Sequence, residues 1–100
     1  MSTEVSNLYR SALTVYLSNR AESIRITDSE GEVVVSAATI TSPTPYSVRI
    51  MASFVMSSAL SVIKHEALDE NGDVMATDTL DAPVEAIEAT QYYAVIDMEL

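Results

Sequence analysis

An alternation of apolar side chains between residues 46 and 56 constrains the fold more than any other feature. Every second residue in this stretch is apolar: Tyr46, Val48, Ile50, Ala52, Phe54 and Met56. Successive side chains of a β-strand point to opposite faces of the sheet, so a period of two is typical of a strand with one buried face. The spacing predicts a central strand over 46–56, with Phe54, the only phenylalanine, as a core anchor.

A helical period precedes the strands, over residues 4–19. Its apolar positions recur at the spacing of one helix face: Val5, Leu8, Tyr9, Ala12, Leu13, Tyr16 and Leu17. Ser2 and Thr3 are suitable N-caps, and Arg20 complements the negative end of the helix dipole. Because the stripe is wide and carries two tyrosines, we predict that this amphipathic helix lies on a sheet, on a sheet edge or on a neighbouring subunit.

Turn signals divide the rest of the chain into short strands. The predicted strands are 22–28, 32–41, 46–56, 59–68, 73–80 and 91–100. The turn 28–31 joins the first two into a hairpin, and the two prolines of 42–45 make that segment a linker, because proline has no N–H to donate to a sheet. Asn71-Gly72 is a strong hairpin signal. We expect 81–83 to end the fifth strand and 84–90 to be a loop or a short edge strand.

This order of elements predicts a mainly β protein. One N-terminal helix and about six strands favour a two-layer antiparallel β-sandwich, and a single sheet with the helix across it is the competing fold. A chain of 100 residues forms one domain, 1–100, with its strands over 22–100. No apolar run approaches the roughly 18 residues of a membrane helix, and no signal-peptide pattern is present at the N-terminus.

Charge is the most unusual bulk property. Fifteen acidic residues face five basic ones, which gives a formal net charge of −10. Direct nucleic-acid binding is disfavoured, because it requires a basic patch. Self-repulsion at this net charge destabilises a compact fold, and salt screens it. We therefore hypothesise that the protein works in salty surroundings or against a basic partner, and a melting temperature indifferent to NaCl would contradict that hypothesis.

The acidic turn at 69–73 resembles the start of a calcium loop. An EF-hand loop beginning at Asp69 needs glycine at its sixth position and glutamate at its twelfth, and these positions hold Val74 and Leu80. The favoured interpretation is a polar hairpin turn, and the alternative is a weak surface cation site. The chain has no cysteine and one histidine, so no metal site is predicted.

The single histidine is a candidate centre for hydrolase chemistry. His65 is a candidate general base for Ser57, Ser58 or Ser61, but no glycine-rich segment is present to form an oxyanion hole. The acid pairs Glu85/Glu88 and Asp97/Glu99 suit a solvated face or a guarded edge better than glycosidase chemistry. We predict no catalytic residue and no cofactor.

Several apolar residues fall outside the expected core. Tyr92 and Tyr93 point to opposite faces of the last strand, so one of them is available to anchor an interface. Met51 and Val55 interrupt the polar face of the 46–56 strand. Apolar residues on both faces predict that this sheet is covered twice, by the other layer and by the helix or a neighbouring subunit.

Taken in order, the elements resemble a class of small virion proteins from tailed bacterial and archaeal viruses. The stretch SVIKHEALDENGDVMATDTLDAPVEA followed by QYYAVIDMEL is similar to their recurring ending, and SNLYRSALTVYLSN is similar to their opening helix. The resemblance implies a non-enzymatic structural role in capsid decoration, a neck or collar, or a tail, in a chain made in the host cytoplasm and located in the virion. Its partners would be capsid, portal or tail proteins and further copies of the chain.

The predicted function is therefore assembly through protein–protein contacts, with no membrane and no nucleic acid involved. The predicted interface residues are Leu8, Tyr9, Leu13 and Tyr16 on the helix, with Met51 and Tyr93 on the sheet. The alternative is a cellular β-sandwich module that recognises a peptide or a carbohydrate. The absence of tryptophan favours assembly, because carbohydrate modules usually expose clustered aromatic rings.

Overall fold

A computed structural model describes residues 6–100 of the chain. One helix and seven strands are present in this part: α1 (Asn7–Arg20), β1 (Ala21–Asp28), β2 (Val33–Ala37), β3 (Thr39–Thr41), β4 (Ser47–Val55), β5 (Leu60–Asp69), β6 (Val74–Ala86) and β7 (Gln91–Glu99). The predicted helix 4–19 is present from Asn7 onward. Its first residues and the proposed caps Ser2 and Thr3 lie outside the described residues.

The strands form two antiparallel sheets that pack face to face. The first, sheet A, has the order β2-β1-β5-β6, and the second, sheet B, has the order β3-β4-β7. The predicted two-layer antiparallel sandwich is confirmed, with seven strands in place of about six. The predicted central strand is β4, which is flanked on both sides in sheet B.

The core lies between the sheets and contains the residues that the alternation selected. Ile24 and Ile26 of β1 face Val48 and Ile50 of β4, and all four are fully buried. Phe54 is also buried, as predicted. Burial along β4 alternates residue by residue, which is the period that its sequence shows.

The stretch 32–41, predicted as one strand, is two strands in different sheets. β2 pairs with β1 in sheet A, whereas β3 pairs with β4 in sheet B. The chain crosses between the layers at Ala38, whose N–H donates to the carbonyl of Glu22 at 2.9 Å. The prediction was wrong because residues 33–35 and 39–41 are both β-branched runs, and no glycine or proline separates them at the crossing.

The fifth predicted strand was expected to end at residues 81–83, and it does not. β6 runs through Pro83 to Ala86, because it is an edge strand and proline lies in an irregular segment. Its register against β5 jumps from Lys64↔Thr79 to Val62↔Val84, so residues 80–83 bulge out of the ladder. The two glycines adopt positive φ in the turns predicted from them, at +90° for Gly31 and +81° for Gly72.

Candidate interaction surface

The N-terminal helix contacts the sandwich through its polar side. Thr14 is the buried residue of α1, only 3% exposed, and Leu17 packs against the core from the same side. Residues 10, 14, 17 and 18 share one face of a helix with 3.6 residues per turn. Apart from Leu17, the residues that dock are therefore polar ones that the apolar period did not select.

Arg10 forms the main polar contact between the helix and the sandwich. Its Nε donates to the main-chain oxygen of Leu100, and its guanidinium lies over the Tyr46 ring at 4.2 Å from the centroid. One turn further along, the hydroxyls of Ser18 and Ser42 are 3.2 Å apart. At the C-terminal end of α1, Arg20 forms ion pairs of 3.5 Å with Asp69 and 3.1 Å with Glu70. We call the contacts of Arg10, Ser18 and Arg20 the helix clasp.

The apolar stripe of the helix points away from the sandwich. We define the outward helix face as the exposed apolar residues Leu8, Tyr9, Ala12, Leu13 and Tyr16. Leu8 is 76% exposed and Tyr9 is 67% exposed. None of the described residues covers this face, so the prediction that it lies on the chain's own sheet is wrong. Coverage by a neighbouring subunit stays a prediction.

A second exposed apolar area lies on the outer face of sheet B. Met51 is opposite Val95 in the ladder, and Ser53 is opposite Tyr93. These residues line a shallow groove together with Thr39 of β3. Met51 is 36% exposed and Tyr93 is 67% exposed, so the helix does not cover this face, and coverage by a neighbouring subunit stays a prediction. Met51 and Tyr93 therefore lie on a different exposed surface from the outward helix face.

Polar contacts account for the acidic residues considered as candidate sites. The Asp69 carboxylate accepts hydrogen bonds from the N–H groups of Asn71 and Asp73 at 2.9 and 3.0 Å. The bond from Asp73, followed by those from Asn71 and Arg20, lowers the pKa of Asp69 against the opposing effect of desolvation. Asp69 thus holds the turn as an acceptor. Among the residues 6–100, no three metal-ligating side chains converge.

The remaining candidate acids lie on outer faces or edges. Asp97 pairs with Arg49 across the ladder at 2.8 Å, and Glu85 accepts a hydrogen bond from the Ser61 hydroxyl at 3.0 Å. Both pairs are exposed. Exposed pairs of this kind contribute little to stability, roughly 0 to 1 kcal/mol.

His65 is buried between the sheets and bonded to a tyrosine. Its Nε2 lies 2.6 Å from the Tyr92 hydroxyl, and the two rings meet edge to face. Nδ1 is buried with no partner in the described residues, whichever tautomer is present. Burial lowers the pKa of His65, and the nearby Asp78 carboxylate opposes this shift. None of the three candidate serines takes part in this bond.

Sequence reasoning missed the clasp, the His65–Tyr92 pair and the exposure of Val55, which is 78%. The alternation along β7 could have indicated the buried pair, because Tyr92 shares a face with the buried residues Ala94 and Ile96. No sequence signal marked Arg10 as the residue that docks the helix.

Comparison of the chain with protein-family models, with curated proteins and with solved structures found no match in any of the three. Within the described residues, no helix is both long enough and apolar enough to cross a bilayer.

Proposed function

We propose that this chain is a non-enzymatic structural protein of a tailed-virus particle, a capsid-decoration, neck or collar, or tail component that acts through protein–protein contacts. The outward helix face is the observation that carries the proposal. Large apolar side chains exposed together on one element mark interaction sites in soluble proteins. The virion assignment itself rests on the resemblance of the opening helix and the last three strands to small virion proteins.

The residue types of the outward helix face suit a protein interface. Tyrosine supplies a large apolar area with a polar tip and loses little conformational entropy when fixed. Tyr9 and Tyr16 lie two turns apart on one side of α1, with Leu8 and Leu13 flanking them. An anchor set of this spacing is how an amphipathic helix binds a groove or a second helix.

The helix clasp supports the same proposal, because it fixes the direction in which the apolar stripe points. Arg10 and Thr14 hold the polar side of α1 to the sandwich. A helix free to roll would turn its leucines and tyrosines onto the body and bury them. Held in this orientation, the stripe is presented to a partner before binding, which reduces the entropy lost on association.

Self-association through this face is tested with the double variant Leu8→Gln and Tyr16→Gln. Glutamine keeps helix propensity close to that of leucine while removing the apolar surface. Sedimentation at several concentrations should give a mass above the 10.8 kDa of one chain for the wild type and a single chain for the variant. The matched control is Ile87→Gln, an exposed apolar residue between β6 and β7 that belongs to neither proposed interface, and it should leave the mass of the assembly unchanged.

Two outcomes would contradict the proposal. A wild-type chain that stays monomeric, and that also fails to join purified capsid or tail assemblies, would favour the alternative of a cellular peptide- or carbohydrate-binding module. A gene neighbourhood without capsid, portal or tail genes would contradict the virion assignment. The assembly role of the helix would then still be tested by the sedimentation experiment.

A further inference from the structure

Strand β7 is an open edge of sheet B. The N–H of Met56 donates to the carbonyl of Thr90, and that of Leu100 donates to the carbonyl of Tyr46. Hydrogen-bonded pairs alternate along an antiparallel ladder, so the even-numbered residues of β7 bond to β4. The N–H and C=O groups of Tyr93, Val95 and Asp97 therefore point away from β4, toward a side of β7 on which the described residues place no paired strand.

Sheet B also has one strand fewer than sheet A, on which it packs. Sheet A has four strands and sheet B has three. β7 packs over both β5 and β6, so the position beside β7 lies over the inner face of β6. An edge groove occupies this position, lined by Ala76, Thr77 and Asp78 of β6 and by Val95, Ile96, Asp97 and Met98 of β7.

The inner face of β6 lacks the cover that the two central strands of sheet A, β1 and β5, have. Ala76 and Asp78 are opposite Ala67 and His65 in the ladder, and cross-strand partners point to the same face. The two β5 residues are buried, whereas Ala76 is half-buried and Asp78 is exposed. A strand beside β7 would cover them.

We propose that β7 accepts a fourth strand, an extended segment of a partner protein that carries cationic side chains. Three pairs of outward main-chain groups supply the hydrogen bonds, as in other cases where a peptide extends a sheet. Charge selects the occupant. Asp78 and Asp97 line the groove, and Glu99 follows at the end of β7, in a chain of net charge −10. No cation among the described residues pairs with Asp78 or Glu99.

The acids also disfavour a second copy of β7 as the occupant. A symmetric antiparallel pair centred on Asp97 would place two carboxylates opposite each other. A symmetric pair centred on Val95 would place the two-fold axis close to β6, because β6 lies beneath this edge of sheet B. The β6 strands of the two copies would then compete for the same space. A single added strand meets neither obstacle.

The test uses a synthetic ten-residue peptide that alternates valine and lysine, with the valine–glutamate peptide as its matched control. Amide hydrogen exchange of the labelled protein should slow at Tyr93, Val95 and Asp97 when the lysine peptide binds, and it should not change with the glutamate peptide. Val95→Pro removes one outward N–H that β4 does not use, so it should abolish binding. Val95→Thr, which keeps the N–H, should bind as the wild type does.

Asp78→Lys provides a test that is independent of the proline variant. Reversing this charge should weaken lysine-peptide binding roughly five-fold, whereas the same reversal at Asp81, an exposed acid in the bulge of β6, should not. Binding that survives Val95→Pro, equal binding of both peptides, or slow exchange at the three amides of the free protein would each overturn the inference.

The inference extends the proposed assembly role to a second surface, and the two are separated experimentally. Leu8→Gln with Tyr16→Gln should leave peptide binding at β7 intact, and Val95→Pro should leave the sedimenting mass of the chain intact. A failure of the peptide-binding test at β7 therefore leaves the proposed role of the outward helix face untouched. A monomeric wild type likewise does not contradict strand addition at β7.

Discussion

The sandwich and the helix use their apolar residues in opposite ways. In β4, each residue of the apolar alternation points inward, and Val48 and Ile50 are fully buried. In α1, the apolar period is as clear, but Leu8 and Tyr9 point to solvent and Thr14 is buried. The comparison shows that a hydrophobic period identifies which residues of a helix or strand share a face. In α1, the contacts made by the opposite face decide that this apolar face points to solvent and not to the core.

The largest expected effect separates these two regions directly. Ile50→Ala deletes a fully buried side chain and should lower the free energy of unfolding by about 3 kcal/mol. Leu8→Ala removes as many atoms from an exposed position and should change it by less than about 0.5 kcal/mol in the monomer. Urea unfolding at low protein concentration measures both values. A cost at Leu8 comparable to that at Ile50 would mean that the helix buries its apolar face within the monomer.

Much of the sandwich follows from sequence for a physical reason. Where one face of a strand is buried, a slip of one residue would expose its whole apolar set, so the period of β4 fixes which residues form the core. Gly31 and Gly72 likewise mark their turns, because the positive φ there suits glycine. These features depend on local pattern alone.

The features that sequence reasoning missed depend on long-range contacts. The crossing at Ala38 is set by a hydrogen bond to Glu22 in another strand, and Pro83 is accepted because β6 is an edge. The orientation of α1 depends on Arg10 reaching Leu100, ninety positions away in sequence. Of the predicted interface residues, the four on the helix form one exposed face. Met51 and Tyr93 lie on a separate exposed area of sheet B.

The next prediction concerns the His65–Tyr92 pair, which lies between the two sheets. His65 is buried with a lowered pKa, so below pH 6.5 the unfolded chain binds a proton that the folded chain resists. The stability that neutral His65 contributes should be complete above pH 6.5 and should be lost as the pH falls toward its folded pKa. Asp78, the carboxylate that opposes the shift, limits the loss.

The measurement compares urea unfolding of the wild type and His65→Gln at pH 7.5 and 5.5. Carboxylates titrate in both proteins, so the difference between them isolates the single histidine. The wild type should lose more stability than the variant over this interval. Parallel losses would show that the imidazole reaches solvent when charged, and the contrast between a closed sandwich and an exposed helix would weaken.

The helix clasp should contribute only modestly to stability, although it decides the orientation of the apolar stripe. Arg10→Ala removes the hydrogen bond to Leu100 and the contact with the Tyr46 ring, and we expect a cost of about 1 kcal/mol. Arg10→Lys keeps the charge but not the planar fork, so it should recover only part of that cost. Without the Arg10 contacts, the first turns of α1 can roll and bury Leu8 against the sandwich. Binding of a hydrophobic dye should then fall even though a stabilising contact has been lost. Increased dye binding in Arg10→Ala would mean that the helix melts when released, and that packing of Leu17 alone does not hold it.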